Sequence, residues 1–371
     1  MKRTPFYHQI VAAGATIQVA QGWEVAAEFT GERAEHLAVR ERAGLFDWSS
    51  TGEIEIQGRD ALALVQRVIV NDAAQMPIGR VLYSTMCKPD GAILSDLTVY
   101  RLGENRYWVM TAWGSNAAQQ RVEFDWIVDA AKGLDVSVTD VSSGVALLAL
   151  QGPRARDILA PLTSANLGAL SYMNSVETTL ADIPRALISR TGYTGELGYE
   201  LIIAAEHAHE LWDALIAAGQ KYGMVLVGQK AAFSLRIEKG YIMRFDFMDN
   251  VTPLEAGLGW TVKFDKGDFI GHDALWRQKQ AGITRALVSI EMLDDGLPAI
   301  GSRIVKNGKV IGKITSSAYG HTIGRPLALG LAPIEDAQPG VQITVETEGK
   351  SHSARLARRP VYDLENTRIR T

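Results

Sequence analysis

A short pattern occurs twice in this chain: an apolar strand, the dipeptide Gln-Gly, and then a helix. Residues 52–57 (GEIEIQ) alternate as a strand does, and residues 59–68, after a single glycine, carry apolar side chains at helical spacing. Residues 145–150 form a second apolar strand that ends at 151–152, and residues 153–159 begin with a proline, which suits a first helical turn. A unit that is used twice predicts two related α+β domains.

In the rest of the chain, the spacing of apolar residues separates a part with both helices and strands from a part with strands alone. Helices are predicted over residues 208–222 and 230–239, and a hairpin over residues 97–111. Towards the C-terminus the helical spacing ends, and short strands flank tight turns at 307–308 (NG) and 348–350 (EGK). The tail is therefore predicted to be a small β domain. No long linker is found, so we expect the domains to pack closely.

Charge and composition exclude several classes of protein. The chain has 38 Lys+Arg and 42 Asp+Glu, a net charge of −4, and so lacks the basic excess of a general nucleic-acid binder. Hydrophobic residues make up 47%, which is enough to build cores and excludes disorder. No P-loop, GxGxxG or HExxH motif is present, and the seven histidines are scattered. We therefore expect no metal site and no nucleic-acid partner.

The sequence also predicts a cytoplasmic protein. Its one cysteine, Cys87, cannot form a disulfide within the chain. The basic N-terminus, MKRTPFYHQI, is not followed by the apolar stretch of a signal peptide. The longest uncharged stretch, residues 158–176, contains proline and asparagine, so we do not expect it to span a membrane.

The segment of residues 90–100 (DGAILSDLTVY) places a carboxylate, Asp96, within an apolar strand. Burying a carboxylate costs free energy unless it is paired, exposed or functional. Asp96 is therefore a candidate functional residue. The alternative is an aspartate on an edge strand that faces solvent.

The segment of residues 190–200 (RTGYTGELGYE) has three glycines within seven residues, which predicts a turn with a close backbone approach. Tyr193 is able to stack on a flat ring, and Glu196 to accept hydrogen bonds from an amino-heterocycle. The alternative is an ordinary hairpin turn. In a third segment, residues 235–240 (LRIEKG), Arg236 suits either a ligand carboxylate or the C-terminal end of a helix.

Taken in order, these segments resemble the aminomethyltransferase family, which includes the T-protein of the glycine cleavage system and related tetrahydrofolate-dependent demethylases. The resemblance runs nearly from end to end. Its segments are 4–8 (TPFYH), 45–47 (LFD), 71–72 (ND), 91–100, 149–153 (ALQGP), 190–200, 236–240, 252–260 (TPLEAGLGW), 268–271 (DFIG) and 360–363 (PVYD).

The resemblance implies an α+β fold arranged as a three-lobed cloverleaf. Two lobes are expected to be ferredoxin-like α+β units, and the third a small C-terminal domain of β-barrel or jelly-roll type. The implied folate-binding α+β domain is discontinuous, with residues 1–50 and 142–245. Residues 51–141 are the implied ferredoxin-like domain that carries the catalytic aspartate, and residues 246–371 the connection and C-terminal β domain.

The resemblance also implies roles for single residues, because folate lies in a central channel in this family. Asp96 matches the family's essential carboxylate beside the reactive pterin nitrogens, and is the implied catalytic residue. Tyr193 and Glu196 match pterin-contacting residues, and Arg236 matches an arginine of the folate site. Tyr362 matches a C-terminal tyrosine of that site, and tetrahydrofolate is the implied acceptor co-substrate.

The chain departs from the T-protein pattern at three places. Trp113 lies next to the position where T-proteins have asparagine, and residues 243–249 replace a tyrosine-glycine-histidine-aspartate run. Trp113, Phe245 and Phe247 are therefore expected to line the donor pocket, where aromatic faces suit a cationic methyl donor. The alternative for Trp113 is core packing. The pair Ser95-Asp96 is similar to the folate domains of dimethylglycine- and sarcosine-oxidising enzymes.

These departures favour a stand-alone demethylase that moves a methyl group from a small methylated N-, O- or S-donor to tetrahydrofolate. The second hypothesis is the T-protein itself, which takes an aminomethyl group from a lipoyl carrier protein and makes methylene-tetrahydrofolate and ammonia. A third is a non-catalytic folate-binding assembly factor. That branch has a lysine-glycine-cysteine-tyrosine motif, whereas residues 239–242 here are KGYI.

Overall fold

The computed structural model describes residues 1–111 and 117–371, and for residues 117–120 it describes the backbone alone. Helices and strands alternate over most of this part of the chain. Its α-helices are α1 Tyr7–Ala12, α2 Glu32–Glu41, α3 Ala61–Val68, α4 Ala117–Ala130, α5 Ala155–Leu159, α6 Ala208–Gly219, α7 Gln229–Lys239 and α8 His272–Ala281.

The strands form three open sheets and one closed barrel within the described residues. They are β1 Lys2–Arg3, β2 Thr16–Ala20, β3 Trp23–Glu28, β4 Gly44–Asp47, β5 Gly52–Gln57, β6 Val81–Cys87, β7 Ile93–Gly103, β8 Arg106–Thr111, β9 Ser137–Asp140, β10 Val145–Gln151, β11 Ser175–Leu180, β12 Ile183–Ser189, β13 Gly198–Ala204, β14 Val225–Leu226, β15 Arg285–Met292, β16 Arg303–Lys306, β17 Lys309–Gly320, β18 Arg325–Pro333, β19 Gln342–Thr347 and β20 Lys350–Ala357.

The sheets have the strand orders β1-β3-β2, β6-β7-β8-β5-β9 and β11-β12-β13-β10-β4-β14. The chain divides into two compact units. The first contains Met1–Ser84, Leu97–Ala232 and Arg368–Thr371, and the second contains Thr85–Asp96 and Phe233–Thr367.

The predicted strand–Gln-Gly–helix unit is present in both places. Strand β5 leads through Gly58 to α3, and β10 leads through Gly152 to α5; both strands lie inside their sheets. Both glycines have positive φ, +144° and +124°, which side-chain-bearing residues rarely adopt. A Cβ atom on Gly152 would also lie 2.6 Å from the carbonyl oxygen of Arg42. The repeated glycine is therefore required by backbone angle and by close packing.

The six-stranded sheet carries a large hydrophobic core of the first unit. Helices α5 and α6 bury apolar side chains among those of β10 and β13, including Ile158, Leu211, Leu215, Leu148 and Leu201. Burial of each such side chain contributes about 2 kcal/mol to folding. Helix α6 ends at Gly219, earlier than its spacing predicts, and residues Gln220–Tyr222 form a single 3₁₀ turn.

The C-terminal part of the chain closes into a six-stranded barrel in the order β15-β18-β17-β16-β19-β20. Its interior is filled by aliphatic side chains such as Ile290, Ile304 and Val345. Two predicted tight turns join its strands: Asn307-Gly308 between β16 and β17, and Glu348-Gly349 between β19 and β20. All four turn residues have positive φ, as the twist of a two-residue hairpin requires.

Within residues 1–111 and 117–371, no helix is both long enough and apolar enough to cross a membrane.

Candidate active site

Asp96 lies on β7, an interior strand of its sheet, and only 6% of its surface is exposed. The alternative of a solvent-facing aspartate on an edge strand is therefore wrong. The neighbouring Ser95 hydroxyl donates to the backbone carbonyl of Asp96 at 3.2 Å, which helps to fix the local backbone. Buried ionisable side chains are found more often at functional sites than elsewhere. The burial of Asp96 in an apolar strand therefore supports it as a candidate site residue.

The glycine-rich segment forms the connection between β12 and β13. Its close backbone approach, predicted from the glycines, is to the buried side chain of Gln151. A Cβ atom on Gly192 or on Gly198 would lie 2.0–2.6 Å from atoms of the Gln151 amide group. That amide donates to the Thr191 carbonyl at 3.2 Å and accepts from the Thr194 hydroxyl at 2.9 Å. The glycines therefore serve the packing of this connection.

The same connection carries Tyr193 and Glu196. The Tyr193 ring is half-buried, so part of the side chain is accessible. Glu196 is buried, and its Oε1 accepts from Arg40 Nη1 at 3.1 Å while its Oε2 accepts from Arg368 Nη1 at 3.3 Å. Both oxygens thus belong to ion pairs that hold the connection in place. A pterin contact of Glu196 stays a prediction.

A second glutamate at the end of the segment, Glu200, was not singled out from the sequence. Its Oε2 accepts from the Tyr100 hydroxyl at 3.0 Å and from the Thr191 hydroxyl, which in turn bonds Ser189 at 2.8 Å. Its Oε1 has no hydrogen-bond partner in the described part of the chain. Burial raises the pKa of the Glu200 carboxyl above its ordinary value. Only its position within an otherwise informative segment could have indicated it.

Arg236 lies near the C-terminal end of α7 and is fully buried. Its Nη1 donates to Asp246 at 3.0 Å and to the Tyr241 carbonyl at 3.0 Å, and its Nη2 to the Met243 sulfur at 3.1 Å. The Nε atom has no partner among the described residues. The guanidinium therefore holds the segment that follows the helix in place. Its Nε–H remains as a hydrogen-bond donor.

Asp246 extends this buried cluster to the barrel. Its Oδ1 accepts from the hydroxyls of Thr315 and Ser316 at 2.5 and 2.6 Å. The residues on each side of Asp246 differ, because Phe245 is 37% exposed whereas Phe247 is buried. Of these two predicted pocket residues, only Phe245 presents much of its ring to solvent. The third, Trp113, lies outside the described residues.

Tyr362 is buried and follows the last barrel strand. Its backbone N–H donates to the Glu238 carbonyl at 2.9 Å, and the Lys239 ammonium lies 5.9 Å from the centre of its ring. Tyr362 is therefore held by Glu238 and Lys239, the last two residues of α7. Asp96, Arg236, Phe245, Phe247 and Tyr362 belong to the second unit, and Tyr193 and Glu196 to the first.

Comparison with known families agrees with this architecture. The profile of the GCVT N-terminal domain matches residues 6–266, and that of the glycine cleavage T-protein C-terminal barrel domain matches residues 285–363. The chain belongs to the glycine cleavage T-protein family. The second match covers all six strands of the closed barrel.

Full-length relatives of the T-protein family give the same result. Proteins named aminomethyltransferase from Symbiobacterium thermophilum and Bacillus subtilis are 41% and 38% identical to the chain over 369 and 364 residues. These matches cover 98% of this chain and 97% and 99% of the relatives. The crystal structure of glycine cleavage system aminomethyltransferase T from Bartonella henselae is 30% identical, with a TM-score of 0.90 and 98% of each chain covered.

These findings confirm the resemblance seen in the sequence, the mixed α+β fold with its C-terminal barrel, and the reaction class. The chain is a transferase of one-carbon groups. The shared name of the relatives matches the aminomethyl hypothesis better than the stand-alone demethylase that the sequence departures favoured.

Proposed function

We propose that this protein is the aminomethyltransferase, or T-protein, of a glycine cleavage system. It takes an aminomethyl group from the lipoyl group of a carrier protein and passes the carbon to tetrahydrofolate. The observation that carries this proposal is the name shared by full-length relatives at 38–41% identity. The sequence analysis favoured the demethylase over the T-protein. The names of the relatives reverse that preference.

The proposed reaction balances without an oxidant or a reductant. The bond between the carbon and the lipoyl sulfur breaks, and so does the bond between the carbon and its amino nitrogen. Two bonds form from the carbon to nitrogens of tetrahydrofolate. The two hydrogens that those nitrogens lose leave with the thiol and with ammonia. The protein therefore has to orient the reactants, exclude water and stabilise charge on nitrogen.

In this proposal Asp96 is the group that stabilises positive charge on the pterin nitrogen during transfer. Its low exposure supports the role, because a carboxylate acts more strongly on a nearby charge where water is excluded. A carboxylate suits this task since it accepts hydrogen bonds from N–H groups and attracts the developing charge.

Tyr193 and Glu200 are the proposed contacts for the flat pterin ring. The half-buried Tyr193 offers an aromatic face, and Glu200 Oε1 has no partner among the described residues. Glu196 stays a proposed pterin contact as well, and its two carboxylate oxygens also accept from Arg40 and Arg368. Arg236 keeps only its Nε donor for a ligand, and Tyr362 completes the proposed folate contacts.

The reaction product tests the proposed function directly. Purified protein is mixed with methylene-tetrahydrofolate, ammonium and a reduced lipoyl carrier protein, and the carrier is analysed by mass spectrometry. We expect the carrier to gain an aminomethyl group. In the forward direction, methylene-folate and ammonia support the proposal, whereas methyl-folate made from a small methylated donor favours the demethylase. Absence of folate binding would contradict both.

Substitution of Asp96 tests its proposed role. Asp96→Asn is expected to lower turnover by about a hundredfold or more while the protein stays folded. Asp90→Asn is the matched control, because Asp90 is an exposed carboxylate in the preceding turn. If Asp96→Asn turns over at the wild-type rate, Asp96 does not stabilise the reacting nitrogen.

A further inference from the structure

The ammonium group of Lys239 is enclosed by oxygens of the chain around Tyr362. Its Nζ donates to the carbonyls of Tyr362 and Asp363 at 3.3 and 3.0 Å, and to the side chains of Asp363 and Asn366 at 3.3 and 2.8 Å. The Lys239 side chain has no exposed surface. All four of these oxygens belong to residues 361–366, which we call the Tyr362 segment.

A buried ammonium group has to be surrounded by polar groups that accept its hydrogen bonds. Taking a lysine charge out of water is unfavourable unless polar groups replace its hydration. The N–H donors of Lys239 meet four oxygens of the Tyr362 segment, one of them a carboxylate, and these oxygens replace water around the ammonium. The contact is mutual, since loss of the ammonium leaves these oxygens without that donor.

Glu238, the preceding residue, holds the same segment from its backbone. Its carbonyl accepts from the N–H groups of Val361 and Tyr362 at 3.0 and 2.9 Å. Its carboxylate accepts from the N–H groups of Thr322 and Ile323 at 2.8 and 3.4 Å, in the turn between β17 and β18. Two successive residues of α7 thus fix the Tyr362 segment and a barrel turn together.

The segment needs this support because its own backbone is not regular. Asp363 and Asn366 both have positive φ, +48° and +54°, a conformation that costs free energy even for aspartate and asparagine. No strand or helix includes them. The Lys239 contacts fall on these two residues and on Tyr362, where no helix or strand fixes the backbone.

We infer that Lys239 is a positioning residue that orders the Tyr362 segment and so holds the Tyr362 ring in place for folate. The part of the inference that concerns folate rests on the proposed function. The ordering of the segment stands on the contacts alone. Lys239 acts on the ligand through Tyr362, and its loss is expected to weaken folate binding more than turnover.

The test compares Lys239→Met with Lys230→Met, a lysine on the first turn of the same helix. Lys230 is 45% exposed and pairs only with Glu28 among the ion pairs of the described residues. In Lys239→Met we expect the amides of residues 361, 362, 366 and 367 to exchange with deuterium at least about tenfold faster. The KM for tetrahydrofolate is expected to rise about tenfold with kcat changed less than about threefold. Lys230→Met is expected to change neither the amide exchange of these residues nor the KM for tetrahydrofolate.

Asp363→Asn is the second variant, and it also decides the matter if Lys239→Met does not fold. Asparagine tolerates the positive φ at this position and removes the charge that faces Lys239. We expect Asp363→Asn to speed amide exchange and to raise the KM for tetrahydrofolate, in both cases by less than Lys239→Met does. Unchanged exchange in both variants overturns the inference, and faster exchange with an unchanged KM overturns its link to the folate site. If the wild-type protein does not use tetrahydrofolate, the proposed function fails while the exchange data still decide the role of Lys239.

Discussion

Arg40 and Glu196 form an ion pair that is almost completely shielded from water. The distance from Nη1 to Oε1 is 3.1 Å, and the two side chains are 4% and 1% exposed. Arg40 also donates to the Thr194 carbonyl at 2.7 Å, so one guanidinium holds both ends of the turn that follows Tyr193. In a buried pair, each charge depends on the other to offset its lost hydration.

Removing one partner of this pair is expected to destabilise the protein strongly. Arg40→Met should lower the free energy of unfolding by about 3–5 kcal/mol, because it leaves the Glu196 charge buried with less compensation. Urea denaturation measures the change. The control is Arg154→Met, since Arg154 and Asp157 are also 3.1 Å apart but are 49% and 47% exposed. That change should stay within about 1 kcal/mol. Equal losses in the two variants would show that burial does not set the effect.

Gly198 is expected to tolerate no side chain while Gln151 is present. Gly198→Ala would place a Cβ atom 2.3 Å from Gln151 Nε2 and displace a buried amide that makes two hydrogen bonds. We expect a loss of about 1–3 kcal/mol in unfolding free energy. Gly144→Ala is the control, because nothing lies within 4 Å of a Cβ atom there.

A double-mutant cycle shows whether Gln151 is the cause. In a Gln151→Ala background, Gly198→Ala should cost much less than in the wild type, because the crowded amide is gone. If the two losses simply add, the cost arises from the backbone of Gly198 and not from this contact.

Local features were predictable from sequence because each depends on residues close together in the chain. The strand–Gln-Gly–helix unit follows from spacing plus a glycine at positive φ, and Asn307-Gly308 follows from the geometry of a tight hairpin. Resemblance to a family added the C-terminal barrel. Single-sequence spacing could not supply barrel closure, because β15 pairs with β20 across more than sixty residues.

The site residues were less predictable, because their environment depends on distant partners. Glu196 matches the family pattern, yet it pairs with Arg40, which is 156 residues away. Glu200 became a candidate partly through its contact with Tyr100, which is 100 residues away. A sequence gives the type of a side chain, whereas the hydrogen bonds that occupy it are set by the fold.

The single cysteine is expected to be inert in the folded protein. Cys87 is fully buried on β6, and burial raises the pKa of its thiol to about 12. Since the thiolate is the reactive form, a thiol-specific reagent at pH 8 should label no cysteine in the native protein and one per chain after unfolding. Rapid labelling of native protein would show that Cys87 is accessible.

Glu53 is expected to make stability fall as pH rises. The residue is buried on β5, and its Oε2 has no hydrogen-bond partner among the described residues. Burial, and then the nearby charges of Asp140 and Glu200, raise the pKa of Glu53 from 4.5 to about 8 despite hydrogen bonds from Thr51 and Ser142. At low pH both the folded and the unfolded chain hold the proton, so the contribution to stability is complete.

Between pH 4.5 and about 8, the unfolded chain releases that proton while the folded chain keeps it, so the unfolding free energy falls by about 5 kcal/mol. Above pH 8 both states are ionised and the loss is complete. Glu53→Gln mimics the protonated side chain and should remove this dependence. We therefore expect Glu53→Gln to be more stable than the wild type at pH 8, and the advantage to shrink towards pH 5.

Urea denaturation of both proteins at several pH values measures the difference, in which the titration of all other groups cancels to first order. Glu55→Gln is the control, because Glu55 lies two residues further along β5, is 21% exposed and pairs with Arg106 at 2.6 Å. Its effect should stay within about 1 kcal/mol. A stability difference between Glu53→Gln and the wild type that does not vary with pH would mean that Glu53 is already ionised in the folded protein.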